Sequence, residues 1–188
     1  GVALNSDFTV KVRLQDGVWH TLSSYLIKVD EVRDTRHYVE NASMAIFDFT
    51  GKVEVAVTYN LGEVQTAKVR PLSYDIPFQI DGNTVTFTLE HPRNLSVEVN
   101  GDIFHNLHLF TGSPERTIPD KDNPEVIYFG PGIHTVKNGE LRVPSGKTVY
   151  LAGGAVLMGR VLIENVHDVK LLGRGIIDYS IKGGIRIA

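Results

Sequence analysis

The sequence contains no cysteine, only two methionines and a single tryptophan, Trp19, among its 188 residues. Without cysteine the chain can form no disulfide, offers no thiolate nucleophile and cannot build a cysteine-ligated zinc or iron–sulfur site. A chain of this length can bury a core that is stable without cross-links. The absence is compatible with a β-rich exported protein.

Strong net charge and long apolar runs are also missing. The formal net charge is −3, so no concentrated basic face is expected, and binding to nucleic acid or to an anionic membrane is not predicted. No apolar run approaches the roughly 20 residues that cross a bilayer, so no membrane span is expected. A composition of 42% hydrophobic and 22% charged residues indicates a folded globular chain.

Residues 7 to about 111 alternate between apolar and polar side chains with a period of two. The alternation is clearest over residues 8–14, 53–59, 85–89 and 95–99. It is typical of antiparallel strands with one buried face, and Asp16-Gly17 and Asn100-Gly101 predict tight hairpins between them. The polar stretch 30–41 is interpreted as a long loop or a short helical turn. We therefore predict an antiparallel β-sandwich over residues 1–112.

A linker is predicted over residues 113–124, because prolines and charged side chains there prevent a strand from continuing. Beyond it, two short strands and a glycine turn recur every 20 to 25 residues, which indicates a solenoid. The regular leucine and asparagine spacing of a leucine-rich repeat is missing. We predict the first coils of a right-handed parallel β-helix over residues 125–188, with aliphatic side chains stacked in interior ladders. The predicted interior ladder is Ile127, Val149 and Val169, and a second register, Leu141, Val161 and Ile185, runs alongside it.

The last predicted strand, residues 184–188, is apolar and has no polar cap. Solenoids need capped ends, because an open coil exposes unpaired backbone and aliphatic side chains. We therefore expect a truncated β-helix, with the natural protein continuing past Ala188 or another chain covering this end. Self-association through the open end is the corresponding expectation for the isolated chain.

Three stretches resemble known β-helix enzymes. Residues 123–134 (NPEVIYFGPGIH) and 146–156 (GKTVYLAGGAV) resemble the opening of the β-helix in bacterial polysaccharide hydrolases related to polygalacturonase, dextranase and isopullulanase. Residues 172–178 (LGRGIID) are similar to an early coil of polygalacturonase-like proteins. The dextranase-like members carry a β-sandwich before the helix. The resemblance is specific over residues 66–188 and only architectural over residues 7–65.

The resemblance implies a function that the chain does not contain by itself. It implies the N-terminal part of a secreted, periplasmic or cell-surface glycoside hydrolase of bacterial origin that acts on a polysaccharide or oligosaccharide. Hydrolysis would proceed with inversion, and the catalytic carboxylates would lie beyond residue 188, because the family's aspartate-rich motifs are absent. No catalytic residue is therefore assigned within the chain. Two alternatives stay open: a non-catalytic carbohydrate-binding or docking module, and a structural or adhesion β-helix protein.

Two residues are candidates for substrate binding. Asp178 follows a glycine turn of a predicted coil, although a turn residue that caps backbone amides is the commoner role for such an aspartate. Trp19 lies beside the Asp16-Gly17 turn, out of step with its apolar neighbours, so one choice of strand face exposes its ring to a sugar. Aromatic residues in strands more often serve packing.

No metal site and no cofactor is predicted. His105 and His108 are three apart on a predicted strand and would point to opposite faces, so they cannot share an ion without a bulge. The glycines at 173 and 175 are followed by a strand rather than by the helix that a dinucleotide-binding turn requires.

Overall fold

The computed structural model describes residues 3–180 and 185–187 of the chain. The chain divides into two compact units, one spanning Ala3–Pro114 and the other beginning at Glu115. Within the described residues both units are built from β-strands, apart from one short 3₁₀ turn, Leu72–Tyr74, and the all-β class is confirmed. No helix among the described residues is long and apolar enough to span a membrane.

The strands of the first unit form two five-stranded sheets. In chain order the described strands are β1 (Phe8–Arg13), β2 (Trp19–Thr21), β3 (Tyr25–Arg33), β4 (Arg36–Asp48), β5 (Val53–Tyr59), β6 (Ala67–Arg70), β7 (Phe78–Asp81), β8 (Thr84–Leu89), β9 (Leu95–Val99) and β10 (Asp102–Gly112). One sheet has the order β2-β1-β5-β8-β7, with antiparallel neighbours. The other has the order β3-β4-β10-β9-β6, in which only the β4–β10 pair is parallel.

One hydrophobic core contains side chains from both sheets. Val10, Val55 and Phe87 of the first sheet belong to the same buried cluster as Val97 and Leu107 of the second. Along β5 and β8 every second residue is buried, so the alternation that predicted these strands is confirmed. Each such side chain stabilises the fold by about 1.5–3 kcal/mol relative to an exposed one.

The prediction of a loop over residues 30–41 was wrong. These residues form the end of β3 and the start of β4, which pair as an antiparallel hairpin out to Arg33 opposite Arg36. Asp34 and Thr35 make the turn with φ values of 47° and 67°. A two-residue turn of this kind usually carries asparagine or glycine, so the Asp-Thr pair gave no turn signal.

The second unit consists of short strands that pair in parallel. The described strands are β11 (Val126–Phe129), β12 (Gly132–Arg142), β13 (Thr148–Leu151), β14 (Ala155–Ile163), β15 (Lys170–Gly173), β16 (Ile176–Asp178) and β17 (Ile185–Ile187). One sheet has the order β11-β13-β15, and the other has the order β12-β14-β16, with β17 also pairing β14. Every described pair is parallel, as stacked coils require. Gly184 and Ala188, which the sequence places in the last strand, lie outside the described residues.

The stacked registers follow the predicted ladders, with one correction. Leu141, Val161 and Ile185 lie side by side on successive strands, so this ladder is confirmed. Ile127 lies beside Val149 as predicted, but the next rung is Leu171 and not Val169. Asp168 has a positive φ of 55°, and the strand begins only at Lys170. A slip of two residues keeps the same face of the strand, which is why Val169 also fitted the pattern.

A close backbone approach joins the second and third coils at Gly173. The glycine has a φ of +115°, and a Cβ placed on it would lie 1.9 Å from the carbonyl oxygen of Leu151. That same oxygen accepts hydrogen bonds from the amides of Arg174, at 2.8 Å, and Gly175, at 3.0 Å. The Gly-Arg-Gly sequence is therefore a structural requirement of this turn.

Candidate functional site

Trp19 lies at the start of edge strand β2, on the outer face of the first sheet. It pairs with Arg13 of β1, whose Cζ lies 4.6 Å from the centre of the indole ring. The Arg13 guanidinium is held in turn by Glu54 of β5, with Nε 3.1 Å and Nη2 2.5 Å from Oε2. The indole remains 37% exposed. An ion pair and a cation–π contact thus fix one orientation of a partly exposed aromatic ring.

A groove lies against the end of β2, in the same unit as Trp19. Its volume is about 480 Å³. None of its lining residues carries a charged side chain. Hydroxyl and amide groups supply its polar surface, and Phe8 contributes to its apolar surface. The polar lining residues are Asn5, Ser6, Thr9, Thr21, Ser23 and Ser24.

Ser24 is the unusual member of this lining. The residue is only 8% exposed, and its Oγ has no hydrogen-bond partner among the described residues. Other polar groups of the groove are held in place: Asn5 Nδ2 donates to Ser43 Oγ at 2.9 Å, and Thr9 Oγ1 accepts from Asn60 Nδ2 at 2.9 Å. Leaving a buried hydroxyl without a hydrogen bond costs about 1–3 kcal/mol.

A second, smaller cleft lies on the outer face of the other sheet. Its volume is about 250 Å³, and Arg70, Ser96, His108 and Phe110 are among its lining residues. The rings of His108 and Phe110 lie side by side, with centroids 6.3 Å apart and planes 12° from parallel. Burial lowers the pKa of His108, which favours the neutral imidazole. Arg70 Nε lies 2.5 Å from Oε1 of the buried Glu98.

Asp178 is the last residue of β16 and belongs to the second unit. It lies beside Met158, which in turn lies beside Thr135, and the intervening Ile177 packs against the interior cluster. Oδ1 accepts a hydrogen bond from the amide of Ser180 at 2.9 Å. Hydrogen bonds from the side chain and backbone of Ser180 lower the pKa of Asp178, so the carboxylate is ionised at neutral pH. A role for it in substrate binding stays a prediction.

The two histidines of β10 have separate surroundings. His105 Nδ1 lies 3.0 Å from Asp102 Oδ2, and its Nε2 lies 3.4 Å from Glu40 Oε2. His108 instead belongs to the smaller cleft. In residues 3–180 and 185–187, no group of three or more histidine or carboxylate side chains is placed to hold a metal ion.

Comparison with known proteins bears on the fold. Neither a protein-family model nor a curated protein sequence matches the chain. Among solved structures, Dex49A from Penicillium minioluteum matches with a TM-score of 0.68 and 17% sequence identity. The chain shares the fold of Dex49A. The match covers 94% of this chain and 46% of Dex49A, so the chain spans about half the length of that protein. This likeness supports the all-β fold with parallel sheets that the sequence patterns predicted.

Sequence reasoning identified Trp19 but missed the groove beside it. The signal available was a run of small hydroxyl residues, Thr21, Ser23 and Ser24, directly after a partly exposed aromatic residue. The groove that they line depends on the segment from Ala3 onward, whose backbone forms hydrogen bonds with this region. Leu26 N donates to Ala3 O, and Asn5 N donates to Ser24 O. No periodicity reveals such an irregular contact.

Proposed function

We propose that the chain forms the N-terminal part of an exported glycoside hydrolase that degrades a polysaccharide. The observation that carries the proposal is the order of the fold, two antiparallel-rich sheets followed by parallel stacked strands, which Dex49A matches over 94% of this chain. The motifs at residues 123–134, 146–156 and 172–178 support it independently, because they resemble those of β-helix polysaccharide hydrolases.

The same proposal includes a finer division of the chain. Residues 1–112 form a β-sandwich accessory domain, residues 113–124 a linker, and residues 125–188 the first coils of a right-handed β-helix. Parallel pairing and a core common to both sheets support this division. The right-handed sense follows from the general preference of parallel strand connections.

The reaction that we propose for the full-length protein is hydrolysis with inversion. One carboxylic acid protonates the glycosidic oxygen, and a second carboxylate, about 6.5–9.5 Å away, activates the attacking water. These two groups belong to coils beyond residue 188. In this scheme the described coils provide the rigid stack on which later coils are built.

The test is an assay of the natural full-length protein on dextran, pullulan and polygalacturonate. We expect release of reducing ends from at least one of them, with NMR showing that the product first forms with the inverted anomeric configuration. The 188-residue chain is the matched control and is expected to release none. Absence of hydrolysis on all three polymers by the folded full-length protein would contradict the proposal.

A second candidate is a carbohydrate-binding module without hydrolytic activity. The fixed, partly exposed ring of Trp19 favours it, since such rings commonly support sugar rings. Binding of a polymer by this chain, with no hydrolysis by the full-length protein, would favour this candidate over the enzyme.

A further inference from the structure

We infer that the hydroxyl-lined groove beside β2, together with Trp19, binds an uncharged oligosaccharide chain. This inference rests on the proposed function only in taking the ligand to be a polysaccharide. It assigns a binding surface to the Ala3–Pro114 unit.

The size of the groove suits such a ligand. Small-molecule sites usually have volumes of about 300–1,000 Å³. The groove, at about 480 Å³, lies inside this range, whereas the cleft beside His108 and Phe110, at about 250 Å³, lies below it. The groove is therefore large enough for a sugar unit. The smaller cleft serves as the control site in the binding experiments.

The chemistry of the lining selects for uncharged sugars. Serine and threonine hydroxyls both donate and accept hydrogen bonds, as sugar hydroxyls do, and Asn5 adds an amide. A carboxylated sugar would require a cation in the groove, and none of the lining residues is charged. Lys11 faces Thr21 across the β1–β2 pair but is not part of the lining. The nearby Arg13 is neutralised by Glu54.

The strongest evidence for a ligand is the hydroxyl of Ser24. Ser24 lines the groove, and its hydroxyl oxygen is buried and has no hydrogen-bond partner among the described residues. A buried hydroxyl in this state raises the free energy of the unliganded protein. Rotation of the Ser24 side chain into the groove would let a sugar hydroxyl supply the missing hydrogen bond, so binding would remove this cost.

Trp19 extends the groove along β2. It lies two residues from Thr21 on the same face of the strand, because the two residues pair with Arg13 and Lys11, which are also two apart. Arg13 and Glu54 hold the indole before any ligand arrives, so little side-chain freedom is lost on binding. A sugar ring seated on Trp19 would place the next unit of its chain toward the hydroxyls of the groove.

The position of Trp19 makes the first test direct, since it is the only tryptophan in the chain. Titration of the 188-residue chain with dextran or pullulan oligosaccharides should change its tryptophan fluorescence saturably. Oligomers of polygalacturonate should produce no such change. The inference is overturned if neither neutral oligosaccharide binds, or if polygalacturonate binds as tightly as they do.

Two serine-to-alanine variants test the groove itself. Ser24→Ala should weaken binding about tenfold, the value of one lost hydrogen bond, while unfolding in urea no more easily than the unaltered chain. Ser96→Ala, which alters the smaller cleft, should leave the affinity unchanged. Unaltered affinity in Ser24→Ala, or a loss of stability showing that its hydroxyl is already satisfied, would refute the assignment. Trp19→Ala, followed by calorimetry, should weaken binding at least tenfold.

Failure of this inference is distinguishable from failure of the proposed function. Hydrolysis by the full-length protein together with no binding by the 188-residue chain overturns the groove assignment alone. Saturable binding that is sensitive to Ser24→Ala supports the groove whether or not the full-length protein hydrolyses the polymer.

Discussion

Replacement of Gly173 by alanine tests whether the third coil depends on the close approach to Leu151. The new Cβ would lie 1.9 Å from the Leu151 carbonyl oxygen, a distance at which the two atoms overlap. The backbone must then move away from the second coil. That movement removes the hydrogen bonds that Arg174 and Gly175 donate to the same oxygen.

The magnitude follows from two contributions. Each of the two hydrogen bonds is worth about 0.5–1.5 kcal/mol net, so their loss costs about 2 kcal/mol. An alanine at the φ of +115° adds backbone strain of about 1–3 kcal/mol. We therefore expect Gly173→Ala to lower the free energy of unfolding by about 4 kcal/mol.

Gly132→Ala is the matched control. Gly132 has a similar φ of +122°, but a Cβ placed on it meets nothing within 4 Å. It should lose only the strain, about 2 kcal/mol. Both variants would be unfolded in urea and followed by far-ultraviolet circular dichroism, while Trp19 fluorescence shows whether the Ala3–Pro114 unit remains folded. Losses in the two variants that agree within about 0.5 kcal/mol would refute the close-approach argument.

Two further substitutions address ionisable groups. Tyr150 is 1% exposed and donates from its hydroxyl to Glu115 Oε2 at 2.7 Å, so Tyr150→Phe should cost about 1–2 kcal/mol in unfolding measurements. Burial, then Glu115, raises the pKa of Tyr150 from 10.0 to about 12, so stability should fall as the pH rises between these values in the unaltered chain. Tyr150→Phe should lack this fall, and an identical alkaline profile would contradict the assignment. The pKa of Asp178 is lowered by Ser180 from 3.8, so its contribution to stability should be present above that value and lost as the pH falls through the folded-state pKa. Asp178→Asn should therefore show a flatter acid limb in thermal denaturation, and an unchanged limb would contradict the turn geometry.

Strand positions could be predicted from sequence where a single physical rule decided them. In β5 and β8 one face is buried and the other faces solvent, so apolar and polar residues alternate along the sequence with a period of two. The rungs from Leu141 to Val161 to Ile185 were visible because like residues stack in successive coils. These features repeat, and repetition is what a single sequence can reveal.

The features that the sequence did not predict each depend on a local detail of the chain rather than on a repeated pattern. The turn at Asp34 and Thr35 adopts positive φ values without glycine, because the long hairpin on either side holds it. The third rung moved from Val169 to Leu171 because a turn residue, Asp168, delays the strand. The burial of Ser24 depends on contacts with residues distant in the pattern, so composition could not reveal it.

The geometry of stacked coils also limits where an inverting carboxylate pair can lie. Carboxylates that extend in parallel from equivalent positions on adjacent coils would be about 4.8 Å apart, which is too close for an intervening water in that mechanism. Positions two apart on one strand are about 6.6 Å apart, and diagonal positions on adjacent coils are about 8 Å apart, so both fit. Around Asp178 the positions two apart along the chain are held by Ile176 and Ser180, the diagonal positions on the adjacent coil by Val156 and Arg160, and Met158 lies beside it. No carboxylate occupies any of them, so Asp178 cannot form such a pair with these neighbours. If the proposed function holds, we therefore expect the inverting pair to lie two residues apart on one strand or diagonally on adjacent coils, and a structure showing it directly stacked would contradict the argument.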